Sequence, residues 1–298
     1  MTKTNNEPSK ALVLSGGGIT GTAWELGILL GLEEGGINVA DAELIIGTSA
    51  GSSVGAQITS GLSLEELYSL QLKPIEETRE KHVQFDGSEF RKMMASAIMS
   101  SPDSKTARIR IGEAALAANT MSEKERMELI ASRLPNHEWN LERKLIINSV
   151  NALTGEWVTF DRYSNVPLPV AVAASSAVPG IYPPTTINGQ HYIDGGMSSG
   201  TNADLAKGLD LVLIIIAEPS MTHPAMGPTM HRINFDDELK ELKDSGSKVM
   251  VILPDEDSLK AKGLNPLDIT SRSASAKAGR QQGKNLALEV KNFWNDNH

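Results

Sequence analysis

Leu44-Ile45-Ile46-Gly47-Thr48-Ser49-Ala50-Gly51 carries the reading on which the fold turns. A short apolar run that ends in Gly-x-Ser-x-Gly and continues into helix-compatible sequence reads as a buried strand, a sharp turn and a helix start. A serine on such a turn needs neighbours with little or no side chain, so that its Oγ stands bare at the mouth of a site. The helix that follows brings backbone N–H groups and a positive dipole end close to it. Ser49 is therefore the candidate nucleophile, and the amide of Ala50 is a candidate oxyanion donor.

Upstream, Ala11-Leu12-Val13-Leu14 reads as a first buried strand and runs into Ser15-Gly16-Gly17-Gly18-Ile19-Thr20-Gly21. Trp24 to Glu34 follows at helical spacing and ends near Gly35-Gly36. The first fifty residues or so are thus one βαβ unit with two glycine-shaped turns on the same sheet edge, where open α/β sheets hold ligands. Gly16-x-Gly18-x-x-Gly21 also fits a dinucleotide fingerprint. That fingerprint wants an acid closing the second strand, whereas Asp41 and Glu43 precede it. An anion cradle for a serine nucleophile, formed by Gly16, Gly17 and Gly18, fits the surroundings better.

Far along the chain, Thr186 to Ile193 has hairpin patterning with Asn188-Gly189 as a type I′ turn. Its second strand leads into Asp194-Gly195-Gly196, either a plain tight turn or a carboxylate that glycines allow close to a hydroxyl. Ala173 to Pro179 reads as a short helix of small residues stopped by proline.

Four blocks in this order, Gly16 to Gly21, Gly47 to Gly51, Ala174 to Pro179 and Asp194 to Gly196, resemble the patatin-like phospholipases. The resemblance implies a three-layer α/β/α fold with a mostly parallel central sheet. It also implies a Ser49–Asp194 dyad with Asp194 as base, an oxyanion hole from the Gly-rich loop, and an acyl-ester lipid as substrate. The family often carries Arg or Lys where this chain has Thr20, a position that orients the loop or meets a headgroup. Thr20 is accordingly a candidate substrate contact.

The histidines favour a dyad over a triad. None of His82, His137, His191, His223, His231 and His298 sits in a motif that makes it a serine's base. Strand alternation puts His191 on the face opposite Asp194. His223 and His231 flank a Pro/Met/Gly loop and reach a site only if that loop folds over it. No cysteine is present and no His pair has helical i, i+4 spacing, so zinc-type sites are not expected, nor is any cofactor.

Between the elbow and the second sheet region, about 64–135, lies a helical insertion: Leu64 to Ile75, Ser88 to Met99, Ile111 to Ala118 and Ser122 to Leu134. Ser122-Glu123-Lys124-Glu125 is a capping box. Ser100 to Arg110 reads as an exposed connection. Met93, Met94 and Met99 are candidates for an acyl-chain pocket, because methionine adapts to irregular apolar shapes, and the insertion is a candidate lid. Later strands are expected at Lys144 to Val150, Glu156 to Phe160, Leu209 to Ala217 and Lys248 to Leu253. Helices are expected at Leu259 to Lys262 and Ser271 to Trp294, the last a closing surface helix rather than a membrane-docking one.

Composition bounds the function classes. With 37 acidic against 28 basic side chains the net charge is −9, which argues against nucleic-acid binding. Zero cysteines exclude disulfides and fit a reducing, cytoplasmic setting. Met1 to Lys10 is polar, expected to be mobile, and lacks the apolar core of a secretory signal. The expectation is one domain over 11–298, acting on lipid esters and free to contact membranes peripherally. The competing class is a non-catalytic protein that keeps the pocket to hold a lipid or an acidic ligand.

Overall fold

The computed structural model describes residues 8–80, 86–222 and 227–296. His82, His223, His298 and the first seven residues, on which some expectations fell, lie outside the described residues. Eight strands form one sheet: β1 (Lys10–Leu14), β2 (Leu44–Gly47), β3 (Lys144–Asn151), β4 (Trp157–Phe160), β5 (Thr185–Ile187), β6 (Gln190–Asp194), β7 (Leu211–Ile215) and β8 (Lys248–Ile252). Their order is β5-β6-β3-β2-β1-β7-β8, with β4 paired to β3. The run β3-β2-β1-β7-β8 is parallel, whereas β4, β6 and β5 add antiparallel pairings at one side.

The helices are α1 (Gly18–Glu34), α2 (Ala50–Ile58), α3 (Leu64–Leu72), α4 (Gly87–Met99), α5 (Ser104–Ala117), α6 (Glu123–Arg133), α7 (Leu168–Ser175), α8 (Phe235–Asp244), α9 (Glu256–Lys262) and α10 (Arg272–Trp294). Alternation along β1 shows why both faces are covered. Leu12 and Leu14 join the apolar core beneath α1, α2 and α10, whereas Ala11 and Val13 join the core beneath α8. The result is a three-layer α/β/α architecture with a mostly parallel central sheet.

Helix α10 closes the molecule against α1 with Trp294 buried. A Cβ on Gly27 would stand 2.2 Å from the Ala276 carbonyl, so glycine sets how closely these helices approach. No helix among the described residues is long and apolar enough to cross a membrane.

Several boundaries differ from expectation: α1 begins at Gly18 rather than Trp24, α3 ends at Leu72 rather than Ile75, and α9 begins at Glu256 rather than Leu259. The polar start yields to sheet at Lys10, and Ser9 is tied down by donating its N–H and hydroxyl to Asp210 at 2.7 Å each. Ser104 to Arg110, expected as an exposed connection, belongs to α5, because Asp103 accepts the Thr106 N–H at 2.7 Å and starts the helix early. The small-residue helix before Pro179 begins earlier, at Leu168 behind Pro167, and ends at Ser175. The capping box at Ser122 and Glu125 is present, as is the Asn188-Gly189 turn with φ of 51° and 75°.

Candidate active site

Strand β2 delivers Ser49 to the carboxyl edge of the sheet, and α2 begins at the next residue. Ser49 takes φ 53°, a left-handed conformation that costs a non-glycine residue about 1–3 kcal/mol. The surrounding turn overdetermines it. Thr48 donates its N–H to the Leu14 carbonyl at 3.1 Å, and Gly51 donates to the Ser15 carbonyl at 2.9 Å. A Cβ on Gly51 would lie 2.1 Å from the Leu14 oxygen, so the helix can press against β1 only with glycine there. The Ser49 N–H donates to the Ser175 hydroxyl at 3.0 Å, which locks the elbow to the end of α7.

The carboxylate arrives from a segment 145 positions further along the chain. Asp194 closes β6, where its N–H donates to the Ala177 carbonyl at 3.0 Å and it pairs in register with Ser149. Its Oδ1 accepts the Gly196 N–H at 2.8 Å and its Oδ2 accepts the Ser49 hydroxyl at 2.7 Å. Both residues are buried, and burial pushes the Asp194 carboxyl up to about 6, against the opposing pull of the Ser49 and Gly196 hydrogen bonds and the nearby Arg126. The group is still ionised at neutral pH, yet more basic than an ordinary aspartate.

The Gly-rich loop lies alongside at the start of α1. Ser15 binds it to the sheet: its N–H donates to Ile215, its hydroxyl to Gly16, and it accepts the Ala217 N–H at 2.9 Å. Gly18 has φ 63°, and a Cβ there would meet the Pro266 carbonyl at 2.5 Å. Gly17 and Gly18 head α1, where the first N–H groups have no intrahelical acceptor. Gly16 differs from its two neighbours in that its N–H is turned to the Gly200 carbonyl at 3.4 Å. Ala50 occupies the first turn of α2 and keeps its candidate place.

A polar network beneath the elbow went unread in the sequence. Thr48 donates to the Thr201 carbonyl at 3.3 Å, and its Oγ1 accepts from Asn202 at 3.0 Å and from Asn148 at 3.3 Å. Glu238 of α8, fully buried, accepts from Ser199 and Thr201 and holds that loop in place. Burial raises its carboxyl to about 7. Only the three-dimensional pairing of distant segments reveals these partners.

Gly16, Gly17, Gly18, Ser49 and Asp194 open on one cavity of about 320 Å³, walled by apolar side chains that include Phe90, Met94, Ile181, Met221 and Leu267. A larger hollow of about 470 Å³, around the Glu80–Arg133 ion pair, contains neither Ser49 nor Asp194. Of the methionines expected in an acyl pocket, Met94 lines the cavity. Met93 turns instead to Gly180, and Met99 is 70% exposed on the outer side of α4. The amphipathic α4 has a solvated face, and Met99 falls on it.

Thr20, expected to meet substrate, is fully buried; its N–H donates to Pro266 at 3.1 Å, so it braces the loop. His191 sits outside the cavity, within 3.3 Å of the Thr186 hydroxyl. His231 does line the cavity, next to Met230. Burial pushes its imidazole below the usual histidine range.

A family model described as patatin-like phospholipase matches residues 12–207, which takes in every element of this site up to the loop after Asp194. Among solved structures, VipD from Legionella pneumophila is 15% identical with a TM-score of 0.46, covering 95% of this chain and 67% of its own. The type III effector ExoU of Pseudomonas aeruginosa is 14% identical with a TM-score of 0.40, covering 95% of this chain and 53% of its own. Human GIVD cytosolic phospholipase A2 is 10% identical with a TM-score of 0.49, covering 98% of this chain and 63% of its own. No curated protein matches the chain.

Proposed function

Because the chain belongs to the patatin-like phospholipase family, we propose that it is a serine-dependent acyl hydrolase that cleaves acyl-ester bonds of lipids through Ser49 and Asp194. The observation that carries this reading is the 2.7 Å hydrogen bond from the Ser49 hydroxyl to a buried carboxylate. A buried, ionised acid that accepts a serine proton costs stability and is well explained as a base.

In the proposed reaction Ser49 Oγ attacks the ester carbonyl while its proton passes to Asp194 Oδ2. The tetrahedral oxyanion is received by the N–H groups of Gly17, Gly18 and Ala50. Losing one such donor typically costs about 10²–10³ in rate. As the C–O bond breaks, protonated Asp194 returns the proton to the departing alkoxide and leaves an acyl-Ser49. Water then attacks, giving its proton to Asp194, and the carboxylic acid departs as Ser49 recovers its hydrogen. The apolar wall from Phe90 and Met94 to Leu267 suits an acyl chain.

The competing reading, a pocket that holds lipid without cleaving it, leaves the elbow strain and the basic carboxylate without a purpose. Hydrolysis of p-nitrophenyl acyl esters by the purified chain tests the choice. The proposal expects turnover in the wild type and its loss in both Ser49→Ala and Asp194→Asn. Turnover undiminished in either variant would refute the dyad.

A further inference from the structure

We infer that this pocket selects acyl esters whose alcohol portion is uncharged and turns away esters that bear a phosphate. The inference rests on the acyl-hydrolase reading and deepens it.

The wall of the cavity carries negative charge and no permanent cation. Among the described residues that line it, the charged side chains are Asp194 and Glu218, with no lysine or arginine. Leu211 to His231, the stretch that supplies Glu218, Met221 and Met230 to the wall, contains no lysine or arginine at all. The remaining titratable lining residue, His231, is held toward its neutral form by burial.

The cations near the site stand behind its wall rather than in it. Lys262 donates to the Ala217 carbonyl and sits over the Trp24 ring at 5.7 Å. Arg108 donates to the Gly155 and Met230 carbonyls, both at 2.7 Å. Arg232 is paired with Asp204 at 2.7 Å and stacked on Trp157 at 4.0 Å. Arg126 lies behind Asp194, whose titration its charge lowers; it is bound to Ser176, lies 3.6 Å over Tyr182, and does not line the cavity.

A phosphate brought in with the ester would therefore meet two carboxylates in the wall and, among the described lining residues, no lysine or arginine to bond it. Shedding its hydration in an apolar cleft is costly for an anion that gains no partner. The amides of Gly17 and Gly18 offer no remedy, since the ester oxygen needs them. An uncharged glycerol or simple alcohol meets neither penalty. Like-charge juxtaposition inside a site is a strong discriminator, and the expected preference is about tenfold or more in kcat/KM.

Two lipids with the same single oleoyl chain test this: 1-oleoylglycerol and 1-oleoyl-lysophosphatidic acid, each presented in neutral detergent micelles to the purified full chain. The expected result is at least about tenfold higher kcat/KM for the uncharged ester, with the ratio narrowed severalfold by Glu218→Lys. Glu218→Gln, which keeps the side chain's shape, narrows the ratio to a lesser degree and serves if the lysine variant does not fold. Equal or faster turnover of the phosphate-bearing lipid would overturn the inference, as would a ratio that neither variant moves. Absence of all ester turnover, p-nitrophenyl butyrate included, would instead overturn the hydrolase reading beneath it.

Discussion

Ser49 donates its hydroxyl hydrogen to Asp194 Oδ2 at 2.7 Å, although 145 positions separate the two residues along the chain. Each is held by a different part of the sheet. Ser49 rides on the turn after β2, and Asp194 on the end of an antiparallel strand that reaches it through β3. Neither position is free to drift, because Ser175 accepts the Ser49 N–H and Ala177 accepts the Asp194 N–H. The last residue of α7 and the turn just after it therefore set both partners at once.

The base must be ionised to accept the serine proton, and burial places its midpoint at about 6. Ester hydrolysis should accordingly rise with pH through about 6 and level above it, as the deprotonated fraction saturates. A kcat/KM profile between pH 4.5 and 8 checks this. A limb centred near the ordinary aspartate value of 3.8 would show that burial does not govern the group.

The same shift has a consequence for stability. Because the folded carboxyl binds its proton up to about 6 and the ordinary value is 3.8, the folded state holds more protons than the unfolded state between these pH values. Stability therefore falls as pH rises from about 4 to 6 and stays lower above, by roughly 3 kcal/mol. Asp194→Asn removes that cost. The variant should melt a few degrees above the wild type at pH 7.5 while losing ester turnover, and the gain should vanish near pH 4. Calorimetry at the two pH values reads both arms.

Ser175 offers the only side-chain partner seen for the Ser49 N–H among the described residues. Ser175→Ala leaves that buried donor unpaired, at a cost of about 1–3 kcal/mol. The expected result is a melting temperature lower by several degrees and a fall in kcat larger than any change in KM, because the elbow loses its brace without loss of pocket wall. Thermal melts and steady-state kinetics on one preparation test it.

The acyl wall can be probed from α4. Met94 is buried and faces the cavity, whereas Met99 stands in solvent. Met94→Trp should depress hydrolysis of long-chain p-nitrophenyl esters more than that of acetate or butyrate, since the added ring occupies chain space. Met99→Ser should leave the chain-length profile unchanged. Parallel profiles for the two variants would mean that the acyl chain lies elsewhere.

Much of this site is written in local pattern. Leu44 to Gly51 announces its strand, turn and helix because glycine and apolar runs leave a signature in adjacent residues. Asp194 is legible through the blocks it shares with a known family, and the three-layer sheet through its apolar strands. What stayed hidden depends on partners distant in sequence. The Gly16 amide looks like its two neighbours until Gly200 is folded against it. Thr20 looks available until Pro266, 246 residues on, covers it. The sequence starts α5 only at Ile111 because Ser104 to Arg110 is largely polar, and its cap, Asp103, outweighs that polarity only in place. Met93 and Met99 show why a methionine cluster names a helix more readily than its inward face.

The central claim is that Asp194 activates Ser49, and reaction with a fluorophosphonate probe tests it without reference to any lipid. Intact-mass and peptide analysis should find one adduct on Ser49 in the wild type, none in Ser49→Ala, and labelling slowed by at least about a hundredfold in Asp194→Asn. Labelling of Ser49 at the same rate in Asp194→Asn, or no adduct on Ser49 in the folded wild type, would contradict the account.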